Sequence, residues 1–114
     1  MEIKSSYPET MSKKQQYNLT LSPKTQKMKD AKGGVLDVSA WCVYEDTDND
    51  GEARRVLAIE TPEGETYATN SATFQTDFAA MVALFGPGGV DRIEVISGTS
   101  KAGREYITCA YAGE

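Results

Sequence analysis

Apolar and polar positions alternate along residues 36–45, a run rich in β-branched and aromatic side chains with neither Gly nor Pro inside. That pattern predicts a long β-strand. Leu36, Val38, Ala40, Cys42 and Tyr44 fall on one face, and Asp37, Ser39, Trp41, Val43 and Glu45 on the other, because successive strand side chains point to opposite sides. The first face suits a core. The second carries the only Trp of the chain beside a Val, and is either covered by protein or offers a surface for stacking. Residues 53–61 read as a second strand, with Leu57 and Ile59 on one side and Val56 and Ala58 on the other, and residues 65–69 as a short third. The period then changes. Phe74, Phe78, Met81, Val82 and Phe85 recur at intervals of three and four, which predicts an amphipathic helix with all three Phe in the core. Asn70 and Ser71 are its caps, and Gly86-Pro87-Gly88-Gly89 stops it. Residues 91–96 and 105–111 form two further alternating strands, joined by a hairpin loop at 97–104.

The beginning of the chain lacks such periodicity. Residues 1–16 are polar and read as a flexible N-terminal arm. Residues 17–21 read as a short extended segment, Ser22-Pro23 as a turn, and 24–34 as a Lys-rich stretch ended by Gly33-Gly34. Between the first two long strands, Asp46-Thr-Asp-Asn-Asp-Gly51 matches the first half of a calcium-binding loop. Leu57 occupies the place of the closing bidentate Glu and no helix flanks the loop, so the segment reads as a turn. The resulting order is three strands, one helix, two strands. This predicts a mainly β protein: a five-stranded OB-fold-like barrel over residues 17–114, with one helix between strands 3 and 4. An α+β sandwich with the helix across an open sheet uses the same elements.

Composition narrows the function. At 114 residues the chain suits one domain with a real core. No apolar run approaches the roughly 20 residues of a membrane-spanning helix, and the first residues lack a secretory apolar segment. Cys42 and Cys109 are far apart in the chain, and there is no His, which removes the commonest general base and transition-metal ligand. The expectation is a soluble, cytoplasmic, non-enzymatic protein with free thiols and neither metal nor other cofactor. The net charge of -5 is unevenly divided, with +4 over residues 1–34 and -9 over the remainder.

OB-type barrels bind oligonucleotides or oligosaccharides across strands 2 and 3 and the loops joining strands 1–2 and 4–5. Those regions place Trp41, Arg54, Arg55, Tyr67, Lys101, Arg104 and Tyr106 as candidates, with Lys24, Lys27 and Lys29 in the preceding basic stretch. Flat rings for bases and mobile cations for phosphates are what single-strand binding requires. Taken singly, each has a plainer explanation: packing for Trp41, pairing with the Asp cluster for Arg54 and Arg55, solvation for Lys101 and Arg104. The run Lys27-Met-Lys-Asp-Ala-Lys-Gly33, the strand Ala40-Trp-Cys-Val-Tyr44, Tyr67-Ala-Thr-Asn-Ser71, and Ser97-Gly-Thr-Ser-Lys101 through Arg104-Glu-Tyr-Ile-Thr-Cys109 together resemble small single-stranded-DNA-binding proteins of phages and mobile elements in Gram-positive bacteria. That resemblance spans about residues 17–112. It implies an OB-fold that coats replication intermediates of single-stranded DNA, with RNA as the alternative polymer and replication proteins as partners. One departure is the ending, Ala112-Gly-Glu114, where bacterial relatives of this kind carry a long acidic tail. Two rival classes stand beside this one. An acidic interaction module would dock on a basic protein without binding nucleic acid. A metal-dependent nuclease would use Asp46, Asp48 and Asp50.

Overall fold

In the computed structural model, which describes residues 1–47 and 50–113, the alternating run at 36–45 is divided between two strands. In chain order the elements are β1 (Glu2–Tyr7), α1 (Lys13–Thr20), β2 (Gln26–Lys27), a 3-10 turn (Met28–Ala31), β3 (Val35–Asp37), β4 (Ala40–Thr47), β5 (Ala53–Glu60), β6 (Thr66–Thr69), α2 (Ala72–Phe85), β7 (Arg92–Thr99) and β8 (Glu105–Tyr111). They form a five-stranded sheet in the order β1-β4-β5-β6-β2 and a three-stranded sheet in the order β3-β7-β8. All pairings are antiparallel except β2 with β6. The protein is mainly β, as expected. Among the described residues the two sheets do not join into a closed ring of strands.

The chain passes from one sheet to the other between Val38 and Ser39. Val38 donates its N–H to the Asp91 carbonyl beside β7 (2.8 Å), whereas Ser39 donates both its N–H and its hydroxyl to the Glu60 carbonyl of β5 (2.9 and 3.0 Å). Alternation therefore does not carry across the join. Leu36 and Trp41, five residues apart, both face the main core. That core lies between the sheets and α2 and contains Trp41, Leu57, Ile59, Phe74, Phe78, Ile93, Val95 and Ile107. Ala40, Cys42 and Tyr44 instead face a second, smaller core with Met11, Leu19 and Ala58. Both faces of β4 are thus covered by protein.

The second core corrects the expectation for the N-terminus. Residues 1–16 are not an arm: β1 pairs along β4, and α1 lies over the far side of the sheet. Residues 17–21 belong to α1 and its cap rather than to an extended segment. Ser12 caps the helix by accepting the Gln15 N–H (3.1 Å), which satisfies one of the orphan donors of the first turn. Leu19, 1% exposed, is the only buried residue of α1, so the helix leaves no periodic apolar stripe in the sequence.

α2 begins where expected. Ser71 Oγ accepts the Phe74 N–H (3.2 Å) and Gly86, at φ +88°, ends the helix. Phe74 and Phe78 are buried, but Phe85 is not a core residue. The last turn runs past the end of the core, and Phe85 stacks on Tyr111 at the surface (centroids 4.4 Å apart, 27° between planes). Cys42 and Cys109 are free and buried in different cores. Burial pushes the Cys42 thiol up to about 11, and burial followed by the Asp77 charge pushes Cys109 up to about 12. The calcium and nuclease readings depend on Asp48, which lies outside the described residues. Among the described residues no group of three or more His, Cys, Asp or Glu side chains could hold a metal ion. Nor is any described helix long and apolar enough to cross a membrane.

Candidate nucleic-acid interface

A groove of about 930 Å³ runs between the 3-10 turn, the β5–β6 end of the larger sheet and β8. Its construction begins with Met28. This side chain has no solvent exposure and belongs to the main core, so it pins the turn and leaves Lys27 and Lys29, on either side of it, exposed at the groove wall. Arg54 enters from β5, Val56 and Ala68 supply apolar floor, and Thr69 and Asn70 continue the wall from β6. β8 contributes Glu105, Tyr106 and Ile107. Among these lining side chains are three cations and one carboxylate, Glu105, which is already held by Lys32 at 3.0 Å. A chain of net charge -5 has thereby gathered local positive charge at a concave surface, the arrangement that draws polyanions.

Tyr106 is the exposed ring of the groove, at 43% relative exposure. It pairs in register with Gly98 on β7, and its ring lies directly over that glycine: a Cβ built on Gly98 would stand 2.6 Å from the ring carbon Cζ. Only Gly permits this approach. The phenol end of the ring is thus held against the sheet at Gly98.

Four of the candidates read from the sequence therefore meet in one groove: Lys27, Lys29, Arg54 and Tyr106. The others do not. Trp41 is 4% exposed; its Nε1–H donates to the Pro87 carbonyl (2.9 Å) and its ring meets the edge of Phe78 (centroids 5.5 Å apart, 77°). A side chain so enclosed cannot stack on a base, and Trp41 is corrected from an outer platform to a core residue. Tyr67 is half-buried against the main core and its hydroxyl donates to Glu65 (3.3 Å); burial, then the Glu65 charge, push its phenol up. It does not line the groove. Arg55 stands on the opposite face of β5 from Arg54 and pairs with Glu45 (3.2 Å), which also takes Lys4 (3.4 Å). The Arg55 hydrogen bond, then the Lys4 charge, hold the Glu45 carboxyl below its usual value. Lys101 and Arg104 are exposed in the β7–β8 turn, and Lys24 is exposed between α1 and β2; none of them lines the groove.

Sequence reasoning missed four contributors. Helix capping accounts for Asn70 in the sequence, yet Ser71 is the cap and Asn70 lines the groove. Val56 and Ala68 show in the sequence only as strand residues. Gly98 carried a usable signal, since a strand glycine cross-paired with an aromatic residue marks a close approach. Compared with known proteins, the chain matches no protein-family model, no curated protein and no solved structure.

Proposed function

We propose that this protein binds single-stranded DNA without strong sequence preference and performs no chemistry on it. The observation that carries the reading is the groove that Lys27, Lys29 and Arg54 line together with Tyr106, whose exposed ring is packed against Gly98. A base can stack on the outer face of the tyrosine while the cations meet the adjoining phosphates, and neither contact depends on base identity. Two features support reading the sheets as a partly open OB-type barrel. The β3–β4 segment is shared by both sheets, and α2 lies between the second and third strands that follow it, β6 and β7. The resemblance to phage and mobile-element single-strand binders supplies the biological setting, protection of replicating DNA in the cytoplasm.

Buried Trp41 is a poor reporter of binding, so the test follows the anisotropy of end-labelled oligothymidylate at two salt concentrations, with duplex DNA as comparison. The single strand is expected to bind, and to bind more weakly as salt rises, with a log–log slope near -0.7 for each phosphate neutralised. Absence of single-strand binding at low salt would sink the proposal and favour the acidic interaction module.

A further inference from the structure

A second groove, of about 600 Å³, lies on the flank of α2 and shares two walls with the first: Arg54 and Asn70 line both. The junction falls at an incompletely paired strand. β5 pairs with β4 over its whole length, from Ala53 opposite Thr47 to Glu60 opposite Ala40, whereas β6 covers only Leu57 to Glu60. The β6-facing edge of residues 53–56 is left without a strand, and α2 is stapled beside it by Gln75, whose Nε2 donates to the carbonyls of Arg55 (2.9 Å) and Thr69 (3.3 Å). Arg54 and Arg55 leave β5 on opposite faces; Arg54 reaches both grooves, whereas Arg55 lines only the second.

The chemistry of this second groove is unlike the acidic surface of the remainder. It is lined by two arginines and no carboxylate, in a chain with 17 acidic residues. The α2 side offers Ala72, Thr76 and Ala79, small exposed residues that leave the floor open. Glu45 holds Arg55 in an exposed pair, and such pairs contribute little net stability, so a phosphate can compete for the guanidinium.

We infer that a single strand seated in the first groove turns over Arg54 and Asn70 and continues along the α2 flank, where Arg55 takes a further phosphate. This rests on the single-strand reading of the first groove and adds a path and a site size to it. The strand makes its base contact at Tyr106 and its later contacts through the backbone alone. Binding strength is therefore set by strand length beyond the first groove.

Anisotropy titrations with oligothymidylates of about 4, 8, 12 and 16 nucleotides cover the range of site sizes for one OB-type surface. They are run on the full chain, on Arg55→Ala and on Thr76→Glu, which places a negative charge at an exposed helical position that tolerates Glu. Circular dichroism melts confirm that each variant is folded. Wild-type affinity is expected to rise with length in two stages, and both variants to lose affinity by a factor that grows with length, reaching several-fold for the longest strands. A single stage complete at the shortest bound length, or losses equal at every length, would overturn the extended path while leaving the first groove in place. Failure of wild type to bind any of the strands overturns both.

Discussion

Trp41 shows how one side chain serves structure while reading as a site. Its indole fills the main core against Phe78 and satisfies its single donor on Pro87. Trp41→Ala should cost about 3–5 kcal/mol, from the lost ring and the cavity left behind, measured by urea unfolding followed by circular dichroism. Tyr106 has the opposite character. Tyr106→Ala should leave stability nearly unchanged and weaken oligothymidylate binding by about 1–3 kcal/mol. Gly98→Ala should reproduce part of that loss without touching the ring chemically, because its methyl would occupy space now held by the tyrosine. The thiols give a pH prediction. Cys42 and Cys109 hold their protons up to about 11 and about 12 when folded, against an ordinary value of 9.0. The unfolded chain therefore releases protons first as pH rises, and the stability tied to these two thiols, complete below pH 9, is lost progressively toward pH 12. Urea midpoints measured from pH 8 to pH 11 should fall, and a Cys42→Ala, Cys109→Ala protein should show a shallower fall.

At the scale of elements, the N-terminal β1 and α1 are part of the fold and not an appendage. They cover Ala40, Cys42, Tyr44 and Ala58 on the back of the larger sheet. Leu19 is the anchor, and Leu19→Ala should cost about 2–5 kcal/mol in urea unfolding. A smaller contribution comes from the Lys4–Glu45–Arg55 cluster across β1, β4 and β5. The Glu45 carboxyl is held below its ordinary 4.5, so this contribution is present above that value and fades as pH falls through the lower, folded one. Contact with solvent and screening by salt keep it slight. The helix α2 and the β7–β8 hairpin were legible in the sequence because each is specified by neighbours in the chain. The Phe74–Phe78–Met81–Val82 stripe sets one, and alternation on either side of a glycine-containing turn sets the other. α1 was not legible because one buried leucine makes no stripe.

For the whole molecule, the distribution of charge matters more than its sum. Lys27, Lys29 and Arg54 face one groove while most carboxylates lie elsewhere. Lys27→Ala with Lys29→Ala should lower single-strand affinity and flatten the salt slope by about 0.7 for each contact removed. Lys101→Ala with Arg104→Ala, on a turn outside the groove, should do so less. Equal effects of the two double variants would move the binding surface toward the hairpin tip.

The sequence by itself determined the order of the elements from residue 53 onward and the extent of α2 with its stop at Gly86, because caps, turns and periodicity act over a few residues. It also determined that residues 36–45 would be extended, but not which side of them would meet the larger core. Alternation divides a strand into two faces without ranking them, and here the hand-over at Val38–Ser39 resets the alternation, turning Trp41 inward and giving Cys42 and Tyr44 to α1. Only the tertiary structure decided that, and only it gathered Lys27, Lys29, Arg54 and Tyr106 from four separate elements into one groove. Convergence of side chains so distant in the chain depends on how the two sheets pack around Met28 and α2, a property no local pattern encodes.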